Sequence, residues 1–308
     1  MNASNQPDPQ TMPALRGRYV LRVQEQGETL STHHTPNLIT QQGLDDFAAY
    51  PAPVLLAQAA LGVSSVPASD EQTRLQAQVG APALASNLTV SHTDDTDLLT
   101  AEYVFPEGSF DNVDLAEVGV FTQHGKLFSR ALFRNPQGDT EPITVARTQR
   151  VVLTYVLELL RPQAPQEAQL VFAGRAGSYR VRVFPQDVPR YQKVGGVLQE
   201  FGPSPQSLNL CTLKVITAAG YAGIPGTAPG ADTEVAPTGH LVLDPYVPGT
   251  RRRQLALRVD SQYGNKTNGI TGLEVVHPTL GTVMTLTVEP ALTKTADYRV
   301  YFDTALEW

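Results

Sequence analysis

The chain has 308 residues, enough for one large domain or two of about 150 residues each. Its net charge is −7 with Lys and Arg scattered, which argues against wrapping nucleic acid, since that needs a concentrated basic surface. A single cysteine, Cys211, excludes an internal disulfide framework and a multi-cysteine metal site, and no apolar run reaches the ~18 residues that would cross a bilayer.

Taken from the start, "MNASNQPDPQTMPALRGR" has neither a basic opening nor an apolar segment after it. A secretory signal is therefore not expected, and residues 1–14 read as an extended arm. "GRYVLRV" (17–23) alternates like a strand. "ITQQGLDDFAAY" (39–50) predicts a short helix with Leu44, Phe47 and Ala48 on one face. Alternation then places strands near residues 100, 118, 130 and 154, with Val118, Val120 and Leu132 buried. The return strand would bury Val151, Leu153, Tyr155 and Leu157. "RPQAPQE" (161–167) has two prolines and no apolar period, as a linker does. Beyond it, strands are predicted near 180, 213, 241, 256, 274, 285 and 300. The 24 glycines and 24 prolines punctuate the chain throughout, like turns between short strands. The class is all-β.

The chain also repeats itself. "GRYVLRV" returns as "GSYRVRV" (177–183), Glu117-Val118 as Glu274-Val275, and the ending of "VVLTYVLEL" (151–159) as that of "RVYFDTALEW" (299–308), in the same order. These matches predict two tandem antiparallel β-sandwich domains, an internal duplication, over residues 15–162 and 163–308. The rival is one continuous sandwich whose strands look alike by composition.

An ordered set of short motifs carries a resemblance. "NLITQQGLDDF" (37–47) is followed by "LGVSSVPASDEQTRLQAQVG" (61–80), "LAEVGVFTQHGKLFSRALF" (115–133) and "ITVARTQRVVLTYVLEL" (143–159). The set resembles the β-rich tail-fibre and tail-collar modules of tailed bacteriophages. The likeness covers residues 37–159; after residue 160 only the hairpin and the final strand persist. It implies a virion structural protein of the phage tail, assembled in the host cytoplasm, acting as an adaptor, collar or fibre-attachment part. The implied partners are further copies, in a trimeric or hexameric ring, and other tail proteins.

The sequence holds no His-Glu-x-x-His, Gly-x-Ser-x-Gly or Walker phosphate loop, so neither a catalytic residue nor a cofactor is expected. Asp94, Asp95 and Asp97, with Glu102 nearby, could present oxygens to calcium. They lack the Asp-Gly continuation and the late bidentate Glu, so a solvated turn is the expectation and no metal site is assigned. His33 and His34 alternate faces of a strand and cannot chelate one ion together, and His124 belongs to a hairpin tip.

Surface contacts are the remaining candidates. Tyr221, Tyr246 and Tyr263 sit in Gly- and Pro-rich loops, and Arg251, Arg252 and Arg253 form the one basic cluster. If the loops gather, they could contact a partner or a host surface glycan by stacking, as an adhesin would. Otherwise each tyrosine covers its own loop and the arginines are solvated.

Overall fold

A computed structural model describes residues 15–50, 52–93, 96–135, 137–160, 166–172, 175–183, 191–194, 197–200, 211–236, 241–244, 247–250, 252–278 and 281–307. The predicted N-terminal arm, residues 1–14, lies outside the described residues.

The first half begins with β1 (Leu15–Glu25), β2 (Glu28–Pro36) and β3 (Leu38–Ile39). Two short helices follow, α1 (Gln41–Ala49) and α2 (Ala52–Leu55). Next come β4 (Gln58–Gly62), β5 (Gln78–His92), β6 (Thr96–Phe105), β7 (Val113–Leu115) and β8 (Glu117–Phe121). β9 (Leu127–Leu132), β10 (Ile143–Val145) and β11 (Arg150–Leu160) complete it. Nine of these strands form one hydrogen-bonded order, β2-β1-β11-β6-β5-β4-β8-β9-β3. The sheet folds back on itself because β5 is long and serves two neighbours in succession. Gln78–Leu84 pair with β4, and Ala85–His92 pair with β6, with irregular register on both sides. The fold-back encloses a core containing Tyr19, Tyr103, Phe128 and Tyr155.

The second half comprises β12 (Gln166–Phe172), β13 (Arg175–Val183), β14 (Tyr191–Val194), β15 (Val197–Glu200), β16 (Thr212–Ile216) and β17 (Thr233–Ala236). It continues with β18 (Leu241–Leu243), β19 (Arg252–Val259), β20 (Ile270–His277), β21 (Gly281–Leu292) and β22 (Val300–Glu307). A six-stranded sheet, β12-β13-β21-β20-β16-β17, and a three-stranded sheet, β18-β19-β22, share a separate apolar cluster that includes Leu213, Leu257, Leu273 and Phe302. All strand pairings are antiparallel among the described residues. The protein is all-β with antiparallel layers, as alternation predicts.

The pairing scheme of the first half recurs in the second. β4 pairs with β5 and β8, β8 with β9, β5 with β6, and β6 with β11. Correspondingly, β16 pairs with β17 and β20, β20 with β21, β18 with β19, and β19 with β22. One long strand, β5, thus has the role that β17 and β18 share. The halves differ at their first strands. β1 pairs with β11, whereas β13, its match by sequence, pairs with β21.

The sequence expectations meet this fold with a few differences. The predicted helix is α1, whose N-cap is Thr40, with its side-chain oxygen accepting the Gly43 N–H. The core residues Val118, Val120, Val151, Leu153, Tyr155 and Leu157 are buried. Leu132 is buried too, but it pairs with Glu117 and so lies on the sheet face opposite Val118. Strands such as β2, β4, β5 and β12 lie outside the predicted positions. β5 is exposed along much of its length and carries Gly80 and Pro82, which weakens its alternation. The last two residues of the predicted linker, Gln166 and Glu167, belong to β12; residues 161–165 lie outside the described set.

Candidate functional site

Both central hairpins are buried on both faces. β8, β9 and most of β20 show no ordinary alternation between covered and open positions. One face of each rests on its core. The other is covered by a loop, residues 63–77 between β4 and β5 in the first half and residues 217–232 between β16 and β17 in the second. At matching strand pairings, β4·β8 and β16·β20, each loop is held by a buried glutamate.

Glu117 is fully buried on β8. Arg130 on β9, equally buried, reaches its Oε2 with Nε at 2.8 Å and Nη2 at 2.7 Å. Placing two charges away from water is tolerable only when both are paired and hydrogen-bonded. Here the loop completes that requirement. The backbone N–H groups of Gln76 and Ala77 donate to Glu117 at 3.1 and 2.7 Å. Arg130 in turn donates to Gln72 Oε1 and to the Val66 carbonyl, both at 2.9 Å. Gly62, opposite Glu117, leaves the space: a Cβ there would lie 2.5 Å from Glu117 Oε1 and 2.6 Å from the Ala77 carbonyl oxygen.

In the second half, Glu274 on β20 is likewise buried. Its Oε1 accepts the Tyr221 hydroxyl at 2.8 Å and the Gly226 N–H at 3.0 Å. Lys214, directly opposite on β16, approaches Oε2 at 3.7 Å from a partly open position. Thr285 on β21 donates to the Gly223 carbonyl at 3.0 Å, fixing the same loop a second time. Burial first, and then the Glu274 carboxylate, push the Tyr221 hydroxyl far above its ordinary pKa, so it remains a donor at any working pH. Chemically, each site is an acceptor that pins backbone donors.

The predicted contact residues are placed as follows. Tyr221 is half-buried and engaged with Glu274 through its hydroxyl. Tyr263 is half-buried and packs against the second core. Its carbonyl accepts the buried Lys294 ammonium at 2.9 Å, which also reaches Ser261, Asn265 and Thr295. Arg252 and Arg253 lie on β19, opposite Glu307 and Leu306 of β22. Tyr246 and Arg251 lie outside the described residues.

The acidic stretch resolves into separate roles. Asp97, fully buried, pairs with His92 Nδ1 at 3.0 Å, while Glu102 falls on the other face of β6, 3.7 Å from Arg22. Asp94 and Asp95 lie outside the described residues. Among the described residues no group of three or more His, Cys, Asp or Glu could hold a metal ion, and no helix is long and apolar enough to span a membrane. His33 and His34 are neighbours on β2, opposite Leu21 and Val20, and His124 is exposed at the β8–β9 turn. Burial pushes the lone thiol, Cys211, up to about 11.

Sequence reasoning passed over the two glutamates, because an acid in an alternating strand ordinarily faces water. The signal was nevertheless present, since Glu117-Val118 and Glu274-Val275 form one of the repeated pairs. Compared with protein-family models, with curated proteins and with solved structures, the chain matches none.

Proposed function

We propose that this protein is a structural component of a bacteriophage tail, an adaptor, collar or fibre-attachment part that acts by assembly and not by catalysis. The observation that carries the reading is where the resembling motifs go. In the fold they interlock at one place. Thr40 caps α1 and also donates to the Leu127 carbonyl at 2.7 Å. Gly43 lies so close to β9 that a Cβ would stand 2.1 Å from the Phe128 carbonyl oxygen. Asn37 donates to the Tyr155 hydroxyl at 2.8 Å, and Arg130 joins Glu117, Gln72 and Val66. Residues scattered over 37–159 therefore act as one set of fasteners, which supports treating the ordered motifs as a module signature and not as chance alternation.

The recurring pairing scheme supports an internal duplication as part of this reading. A duplicated unit suits a tail, because three chains then present six similar units around the axis. In this reading the chain is a component of the virion, with copies of itself and other tail proteins as partners.

The test is immunogold imaging of phage particles from a host carrying this gene, with antibodies raised against the purified full chain. Label confined to the tail is expected. Particles without label, together with a monomeric protein that shortens host polysaccharide, would overturn the reading.

A further inference from the structure

We infer that the Lys294 ammonium fills a monovalent-cation site built from carbonyl and amide oxygens in the second half. The chain thereby carries its own cation where a free ammonium or potassium ion would otherwise bind.

Lys294 lies between β21 and β22 and is only 3% exposed. Its Nζ donates to the Tyr263 carbonyl and to Asn265 Oδ1, both at 2.9 Å, and approaches the Ser261 and Thr295 carbonyls at 3.1 and 3.3 Å. An ammonium has three protons, so four oxygens are more than separate hydrogen bonds require. Among the described residues no carboxylate pairs with it. Glu234 and Asp260 act on it through space, and both are engaged elsewhere. Glu234 accepts the Gly264 N–H, and Asp260 is held by Arg258 and Arg299 at 3.1 and 3.4 Å.

Taking an ammonium out of water is tolerable only when other dipoles replace its hydration shell. Converging carbonyl oxygens do this for any cation of suitable radius, as in the filter of a potassium channel. Here the distances select the radius. The four contacts, 2.9–3.3 Å, are far longer than those of calcium, about 2.3–2.6 Å, or magnesium, about 2.0–2.1 Å. Those divalent ions also favour carboxylates, which this cage does not offer. Ammonium and potassium are the free ions that fit.

Most of the oxygens are placed by ties that do not involve Lys294. The Asn265 amide donates to the Ser261 carbonyl, which turns Oδ1 toward the ammonium. The Tyr263 N–H donates to the Asp260 carbonyl at 3.1 Å, and Lys266 donates to the Ala231 carbonyl. With the ammonium gone, the same oxygens still converge but repel one another. The β19–β20 loop then opens more readily until a cation returns to them.

Hydrogen exchange of the full chain, read by mass spectrometry on peptides covering residues 260–269, tests this in chloride salts of matched ionic strength. Wild-type exchange is expected to be the same in ammonium, potassium and lithium chloride. Lys294→Ala empties the cage, and its loop should exchange about tenfold faster in lithium chloride. Raising ammonium or potassium should slow it back toward wild type, as a ligand of the closed loop does. Lys294→Met fills the space without a charge, so its loop should exchange fast in every salt. If Lys294→Ala does not fold in lithium chloride, its refolding yield in ammonium chloride reads the same recovery. Exchange in Lys294→Ala that matches wild type, or is equally fast in all three salts, would overturn the inference. So would a refolding yield indifferent to the cation, or recovery of Lys294→Met by ammonium.

Discussion

Glu117 and Glu274 do the same work with different counter-charges. Around Glu117 everything is sealed, with the guanidinium of Arg130 fully buried and the neighbouring strand position emptied to glycine. Around Glu274 the cation is Lys214, 3.7 Å away with its side chain about a third exposed, and a tyrosine hydroxyl supplies the short bond. The difference shows that the carboxylate and its backbone donors are what the two sites share. How its charge is balanced depends on whether the space opposite holds a glycine or a lysine. The sealed site should therefore fail hard when one partner is removed, and the open one gently.

The largest effect is expected from Glu117→Gln, which strands a buried guanidinium and should cost about 3–5 kcal/mol of stability in urea titrations followed by circular dichroism. Replacing Glu117 and Arg130 together with leucine should return much of that loss, since no unpaired charge remains. If single and double variants are equally unstable, the ion pair is not the reason the site is sensitive. Next, Gly62→Ala should cost about 1–3 kcal/mol, because the added methyl meets Glu117 and the Ala77 carbonyl, and the same assay reads it.

Glu274→Gln should cost roughly 1–2 kcal/mol, because the amide oxygen can still accept from Tyr221 and Gly226, and Lys214 can turn to water. A loss as large as that of Glu117→Gln would erase the contrast between the sites. The smallest effect concerns pH. Burial lowers the pKa of His277, at the end of β20, below its usual 6.5. The folded state then favours neutral imidazole, so the contribution is complete above pH 6.5 and declines as acid protonates the unfolded chain first. Melting of His277→Gln should therefore depend less on pH than wild type below pH 6.5.

Much of the architecture was legible in the chain. Alternation located the strands of both hairpins and the two closing strands, and the apolar spacing within residues 39–50 located α1. What alternation could not show was the second covering of β8 and β20. A strand covered on both faces has no polar side, so its glutamate looks like the exposed one of an ordinary pair. Only the loop's return across the sheet makes Glu117 and Glu274 interior residues. The tyrosines show the converse. Tyr221 and Tyr263 read as loop residues that either meet a partner or cover their own loop, and the fold engages one as a hydroxyl donor and sets the other against the second core.

By itself, then, the sequence determined that the protein is built of alternating strands, where one short helix lies, and that one glutamate-bearing hairpin occurs twice. These follow from local periodicity, which acts over a few residues. The tertiary structure alone decided that β13 joins β21 while β1 joins β11, and that two loops cross the sheets to meet buried acids. Those outcomes depend on contacts between residues far apart in the chain, such as Arg130 with Val66, 64 positions away, which no local pattern encodes.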